Sequence, residues 1–119
     1  MFFNVGVQHG EHYLLVVGTG AATVSDLCGG ASLGAVTARL SGCRRVLIDL
    51  LGVEQDLSFT EHLQLGAHLA EVAAGLERVA TVVPAQQKVG VSERAAQLQG
   101  LQIKTFTSLA DAQAWLTQP

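Results

Sequence analysis

Asp56, Ser58 and His62 stand close together in the chain, and their types suit acid–base chemistry. An imidazole one helical turn from a hydroxyl can act as its general base, and a carboxylate can orient that imidazole. A hydrolase built on Ser58 and His62, with Asp56 as the orienting group, is therefore one reading. The same residues also have a plainer use. Ser58 is a helix N-cap by type and position, its oxygen accepting from an early helical N–H. A phosphate on that oxygen would sit at the positive end of the helix. His62 falls on the apolar side of the helix that Ser58 opens, as a core histidine does, and His68 falls on the solvent side. No spacing here demands a triad, so the expected catalytic set is empty.

Other chemistry-bearing types are weaker still. His9-Gly10-Glu11-His12 offers two imidazoles in a short turn, with Glu11 a strained third ligand, and reads as a surface turn without a metal. Gly18-Thr19-Gly20 follows a strand as in a dinucleotide-binding turn. However, Thr23 stands where the third glycine belongs, and Asp49 lies inside the next strand rather than at its end, so a tight turn and no cofactor are expected. Asp49, between Ile48 and Leu50, should be hydrogen-bonded to nearby loop amides. Cys28 and Cys43 belong to no CxxC and read as reduced thiols.

The elements that position these residues follow from hydrophobic pattern. Phe2 to Gln8 alternates and Tyr13 to Val17 is densely apolar, with a short polar turn between them: a β-hairpin. Arg45 to Leu51, Arg78 to Val83 and Leu101 to Phe106 are nearly continuous apolar runs, as in parallel strands covered on both faces. Ser58 to about Ala74 carries a wide apolar face, with Phe59, Leu63, Gly66, Ala70 and Ala73 in one stripe and Leu65, Leu69, Val72 and Leu76 in another. Ser92 to Gln99 is a shorter helix stopped by Gly100. Ser108 and Asp111 have capping-box spacing at the head of the last helix, which Trp115 packs down.

Ala21 to Leu40 admits two versions. Either one glycine-rich helix runs from Thr23, or a turn at Gly29-Gly30 precedes a helix carrying Leu33, Val36 and Leu40. In the long-helix version Val24, Leu27, Cys28, Ala31, Ala35 and Ala38 face inward while Leu33, Val36 and Leu40 point toward a partner. The expected order is β-β-α-β-α-β-α-β-α: an α/β domain over residues 1–119 with an N-terminal hairpin and a mostly parallel sheet of four or five strands.

Composition bounds the function. Apolar residues make up 49% of the 119, enough for a core without disulfide or metal. Charged residues are only 14%, a surface poor enough in charge to suggest that part of it is hidden in a homodimer. A net charge of −3 argues against nucleic acid. No apolar run approaches the ~20 residues of a membrane span, and the start lacks the pattern of a signal peptide, so a cytoplasmic place is expected.

The strand ending Ile48-Asp49-Leu50-Leu51-Gly52-Val53, the capped helix, the strand Val79-Ala80-Thr81-Val82-Val83 and the closing run Phe106 to Leu116 resemble, in order and spacing, the STAS-like superfamily of sulfate-transporter and anti-sigma-factor-antagonist domains. The stand-alone bacterial branch described as stage II sporulation A-A-like is the nearer likeness, over roughly Tyr13 to Leu116. In the antagonists a serine at the head of the helix after the third strand is phosphorylated by a kinase partner, and Ser58 falls at that place. The Ser and Gly that flank that serine are absent here. The resemblance implies a non-enzymatic regulatory domain that binds a protein partner, with Ser58 as the site of phosphorylation. The same branch also resembles CRAL-TRIO domains in fold, which implies a carrier of a small apolar or lipid-like ligand.

In an open parallel sheet, partners and ligands meet the loops beyond the carboxyl ends of the strands. The expected site is therefore Gly18, Thr19, Gly52, Glu54, Asp56, Ser58, His62, Pro84 and Gln86, with Thr107-Ser108 on the same edge.

Overall fold

A computed structural model describes residues 2–119. β1 (Asn4–His9) and β2 (Leu14–Ala21) form the antiparallel hairpin, with Val7 opposite Val16, and the Gly10 N–H donates to the Tyr13 carbonyl across the turn at 3.0 Å. β3 (Arg45–Glu54), β4 (Arg78–Val82) and β5 (Ile103–Phe106) then add in parallel, in the order β1-β2-β3-β4-β5. The architecture is the expected α/β one, with a five-stranded, mostly parallel sheet.

Of the two versions of the Ala21–Leu40 segment, the single helix is the one formed. α1 spans Val24–Ser41. The Thr23 hydroxyl accepts from Asp26 N–H, and the Asp26 carboxylate accepts from Thr23 N–H, a full capping box. Gly42, at φ 75°, ends the helix in the left-handed conformation. One of its glycines serves packing: Gly34 is buried so close to Val16 that a methyl group there would press on the valine at 2.9 Å. Leu27, Ala35 and Ala38 face the sheet, whereas Leu33, Val36 and Leu40 are exposed.

α2 (Phe59–Val72) starts at Ser58, which makes a capping box with Glu61. α3 spans Val91–Leu98 and α4 spans Leu109–Leu116. At α4 only one arm of the expected box forms: Ser108 Oγ accepts from Asp111 N–H at 3.3 Å. The backbone of Ser108, at φ −122° and ψ 126°, differs from the reciprocating caps Thr23 (−86°, 171°) and Ser58 (−68°, 166°).

Two strands run further than their sequence suggests. Gly18-Thr19-Gly20 is the end of β2, not a loop, and Gly52 to Glu54 is the end of β3. Pairing survives because the register shifts between Val17 and Thr19 and Gly20 takes φ 101°, so that Thr19 lies opposite Gly52 and Ala21 opposite Glu54.

α1, α2 and α3 cover one face of the sheet, around Leu27, Val53, Leu65, Leu69, Val79, Ala96 and Ile103. α4 covers part of the other face, over Leu47, Ala80, Val82, Ala112 and Leu116. Trp115 packs against Phe106 with ring centroids 5.8 Å apart, and the Arg78 guanidinium lies over its indole. Arg45 donates to the Leu116 carbonyl at 2.7 Å and Arg78 to the Trp115 carbonyl at 2.7 Å, which satisfies carbonyls at the end of α4. Glu77 pairs with Arg45 at the base of the sheet.

Candidate functional site

A parallel sheet with all its crossovers on one face brings the β2–α1, β3–α2 and β4–α3 connections to one edge. Gln55 to Leu57, Ala22-Thr23 and Gln87 line a shallow cleft there. Below it, between the sheet and α1–α3, lies a cavity of about 70 Å³. Its deep walls are mostly apolar, with Val5, Val16, Leu27, Ile48, Leu65 and Leu69, and carry Thr81 and Thr105 in the same row across the sheet as Val16 and Ile48. The end near the loops is polar, with Gln55, His62, Gln87 and Glu93.

Close helix packing shapes the roof. α2 and α3 approach each other at Gly66, where a methyl group would meet the Ser92 carbonyl oxygen at 2.5 Å and Ala95 Cβ at 2.7 Å. That contact fixes α3 over β4 and β5. There Thr81 Oγ1 donates to Thr105 Oγ1 at 2.8 Å, and the Glu93 carboxylate accepts from the Thr105 N–H.

Three polar atoms at this end are buried without a hydrogen-bond partner: Gln55 Oε1, His62 Nδ1 and Gln87 Oε1. They come from the β3–α2 loop, from α2 and from the turn after β4. Buried polar atoms are paired in the great majority of cases, so three orphans converging on one cavity mark it out.

The residues expected at the site divide into groups. Gly18 and His62 line the cavity. Glu54 and Asp56 are exposed on the rim of the cleft. Thr19 and Gly52 are exposed and face each other across β2 and β3. Pro84 is half-buried and starts the 3-10 turn Ala85–Gln87. Gln86 points to solvent, and its neighbour Gln87 is the one that reaches the cavity. Thr107 and Ser108 lead into α4 on the opposite face and line neither cavity nor cleft.

Ser58 is exposed, and its oxygen accepts from the Glu61 N–H at 3.2 Å while its N–H donates to Glu61 Oε1 at 2.9 Å. Among the described residues no side-chain hydrogen bond joins Ser58, His62 and Asp56, since the hydroxyl is engaged as a cap and His62 Nδ1 has no partner; the one tie is the helical bond from His62 N–H to the Ser58 carbonyl at 2.9 Å. His68 is not on the solvent side as its helical position suggests. It is half-buried and shares a 2.8 Å hydrogen bond with Ser32 Oγ, because α1 packs along that flank of α2. Asp49 is half-buried, and its Oδ1 accepts at 3.0 Å from the N–H of Leu51, which lies within β3 rather than in the loop expected to supply it. His9, Glu11 and His12 are exposed in and beside the hairpin turn, and among the described residues no cluster of three or more His, Cys, Asp or Glu side chains could hold a metal ion. Cys28 and Cys43 are free, and burial pushes the Cys28 thiol up. No helix among the described residues is long and apolar enough to cross a membrane.

This architecture is a SpoIIAA-like fold. Among solved structures, the chain is similar to an anti-sigma factor antagonist from Mycobacterium paratuberculosis, with a TM-score of 0.65 and 16% identity over 98% of this chain and 96% of that one. It is also similar to an uncharacterised protein with a SpoIIAA-like fold from Shewanella loihica PV-4, with a TM-score of 0.55 and 24% identity over 96% of this chain and 93% of that one. No family model and no curated relative matches the sequence.

Proposed function

We propose that this chain is a non-enzymatic regulatory domain that docks a protein partner on the surface around Ser58, with phosphorylation of Ser58 as its switch. The observation that carries this reading is the setting of Ser58. Its hydroxyl is solvent-exposed at the head of α2, beside Phe59, which is 66% exposed, and Leu63, which is 41% exposed. Exposed apolar side chains next to a modifiable hydroxyl suit a contact that charge can break. The likeness to an anti-sigma factor antagonist supports the same reading.

The electrostatics give the switch a direction. A phosphate on Ser58 would gain from the free N–H groups of the first turn of α2. It would also meet the carboxylate of Glu61, which now reaches back to Ser58 N–H, and the nearby Glu54 and Asp56. Repulsion would open the capping box and move the β3–α2 loop. In this reading the chain works in the cytoplasm, and Leu33, Val36 and Leu40, exposed along α1, pair two copies.

Phosphate mapping on the protein isolated from its own cells, together with partner capture by wild type, Ser58→Ala and Ser58→Glu, tests the proposal. The expected result is phosphate on Ser58, and a partner held by wild type and Ser58→Ala but released by Ser58→Glu with the fold intact. An unmodified Ser58 in every growth phase, with the same partners held by Ser58→Glu, would overturn it.

A further inference from the structure

We infer that the cavity between the sheet and α1–α3 is a binding site for a small molecule with a short apolar body and a hydrogen-bond-donating head that is not anionic. The inference is independent of the role given to Ser58, and it rests on how the walls and the orphaned atoms are distributed.

Gln55 Oε1, His62 Nδ1 and Gln87 Oε1 are each removed from solvent and each without a partner. Three separate elements deliver them to one end of one space, where Glu93 also stands. A group left in this state is costly unless something completes it. Water completes such groups only where it finds two to four polar neighbours. The loop end of the cavity offers them; deeper, beside Val16, Leu65 and Leu69, the hydroxyls of Thr81 and Thr105 already bond each other. An occupant that fills the whole space is therefore polar at one end and apolar at the other.

The charge of its head follows from Glu93. That carboxylate lines the polar end and takes the backbone N–H of Thr105. The two amide oxygens beside it are acceptors, and Lys88, the one cation lining the cavity among the described residues, is exposed. A carboxylate or phosphate head would face Glu93 across a poorly solvated space, whereas an amide, hydroxyl or ammonium head would donate to it and to the amide oxygens. Either amide can be turned over to present its NH₂ instead, but the sign of Glu93 stays the same. Size sets a further limit. A cavity of about 70 Å³ is roughly half of one that takes benzene, so the enclosed part of the ligand is a few carbon atoms long.

The test uses the full chain, labelled with ¹⁵N, and three probes that share one tail: butyramide, butylammonium and butyrate. The expected result is saturable shifts of the Gln55 and Gln87 side-chain amides and the His62 ring in the millimolar range with butyramide, butylammonium or both, and at least tenfold weaker binding of butyrate. Which of the first two binds more tightly tells a neutral head from a cationic one. The double variant Gln55→Leu/Gln87→Leu should lose binding while its amide spectrum stays folded. Glu93→Gln keeps an acceptor for Thr105 and should narrow the gap between butyramide and butyrate at least threefold. No saturable shift at these residues with any probe, or butyrate binding as tightly as the others in the wild type, would overturn the inference.

Discussion

Under α4, Leu47, Ala80, Val82, Ala112 and Leu116 lose all contact with solvent and form a wholly apolar cluster. Across the sheet, Leu65 and Leu69 share their surroundings with a cavity and with three unpaired polar atoms. Both faces belong to the same strands, alternate residues of β3 and β4 pointing to each. The difference lies in what covers them. One short helix seats against the first face, and three helices leave a gap at the loop end of the second. Close packing on one side anchors the fold, so the other side can carry atoms that do nothing for stability.

If the contrast is right, the largest loss comes from the closed face. Leu116→Ala should cost about 2–5 kcal/mol in urea unfolding, since its surroundings cannot collapse onto the vacated space. Next is the α2–α3 contact. Gly66→Ala should cost roughly 1–3 kcal/mol, because the Ser92 carbonyl, a backbone atom, blocks the new methyl group. Ser58→Ala should cost about 1 kcal/mol through loss of a complete capping box, and Ser108→Ala, with one arm of its box formed, should cost less.

A smaller effect concerns pH. The Arg45 guanidinium hydrogen-bonded to Glu77 holds that carboxyl below its usual range, with Arg44 and Arg78 adding to the field. A depressed folded value means that the contribution is complete above the unfolded carboxylate value, near ~4.3, and is lost as pH falls through the lower folded value. Glu77→Gln should therefore cost a little at neutral pH, where the contribution is complete, and nothing once pH falls below the folded value, so that the acid limb flattens; the cost stays small because the group is exposed. The smallest change is expected on the open face: His62→Leu removes an orphaned nitrogen and keeps most of the volume, so melting should stay within a degree or two of wild type or rise slightly, of order ±0.5 kcal/mol. A loss as large as that of Leu116→Ala would break the comparison.

The strands and helices were legible because their signals are local. Continuous apolar runs marked β3, β4 and β5, and Ser58 announced the head of α2. The outward set Leu33, Val36 and Leu40 followed from helical periodicity once α1 was a single helix. The ends of β2 and β3 were not legible, since glycines that usually mark a turn here serve a register shift inside the ladder. His68 was misplaced because its partner Ser32 lies 36 residues away on another helix, and no pattern along one helix reports that. Three further cavity residues were not singled out for a related reason. Gln55, Gln87 and Glu93 are ordinary surface types, and only the turn geometry after β4 decides that Gln87 rather than Gln86 points inward. A signal was present in a glutamine pair shortly after a proline at a strand end, but it does not say which of the two turns in.

Because the sheet runs β1 to β5 in chain order, every strand pairs only with its neighbours in sequence. Each unit can therefore dock on the preceding one, with one helical crossover to close at each parallel step. The exception is α4, whose last carbonyls are gripped by Arg45 from 71 residues upstream and by Arg78. Assembly can thus proceed stepwise through most of the chain and be locked by one late, long-range clasp, with Leu47 and Ala80 open to water until that clasp shuts.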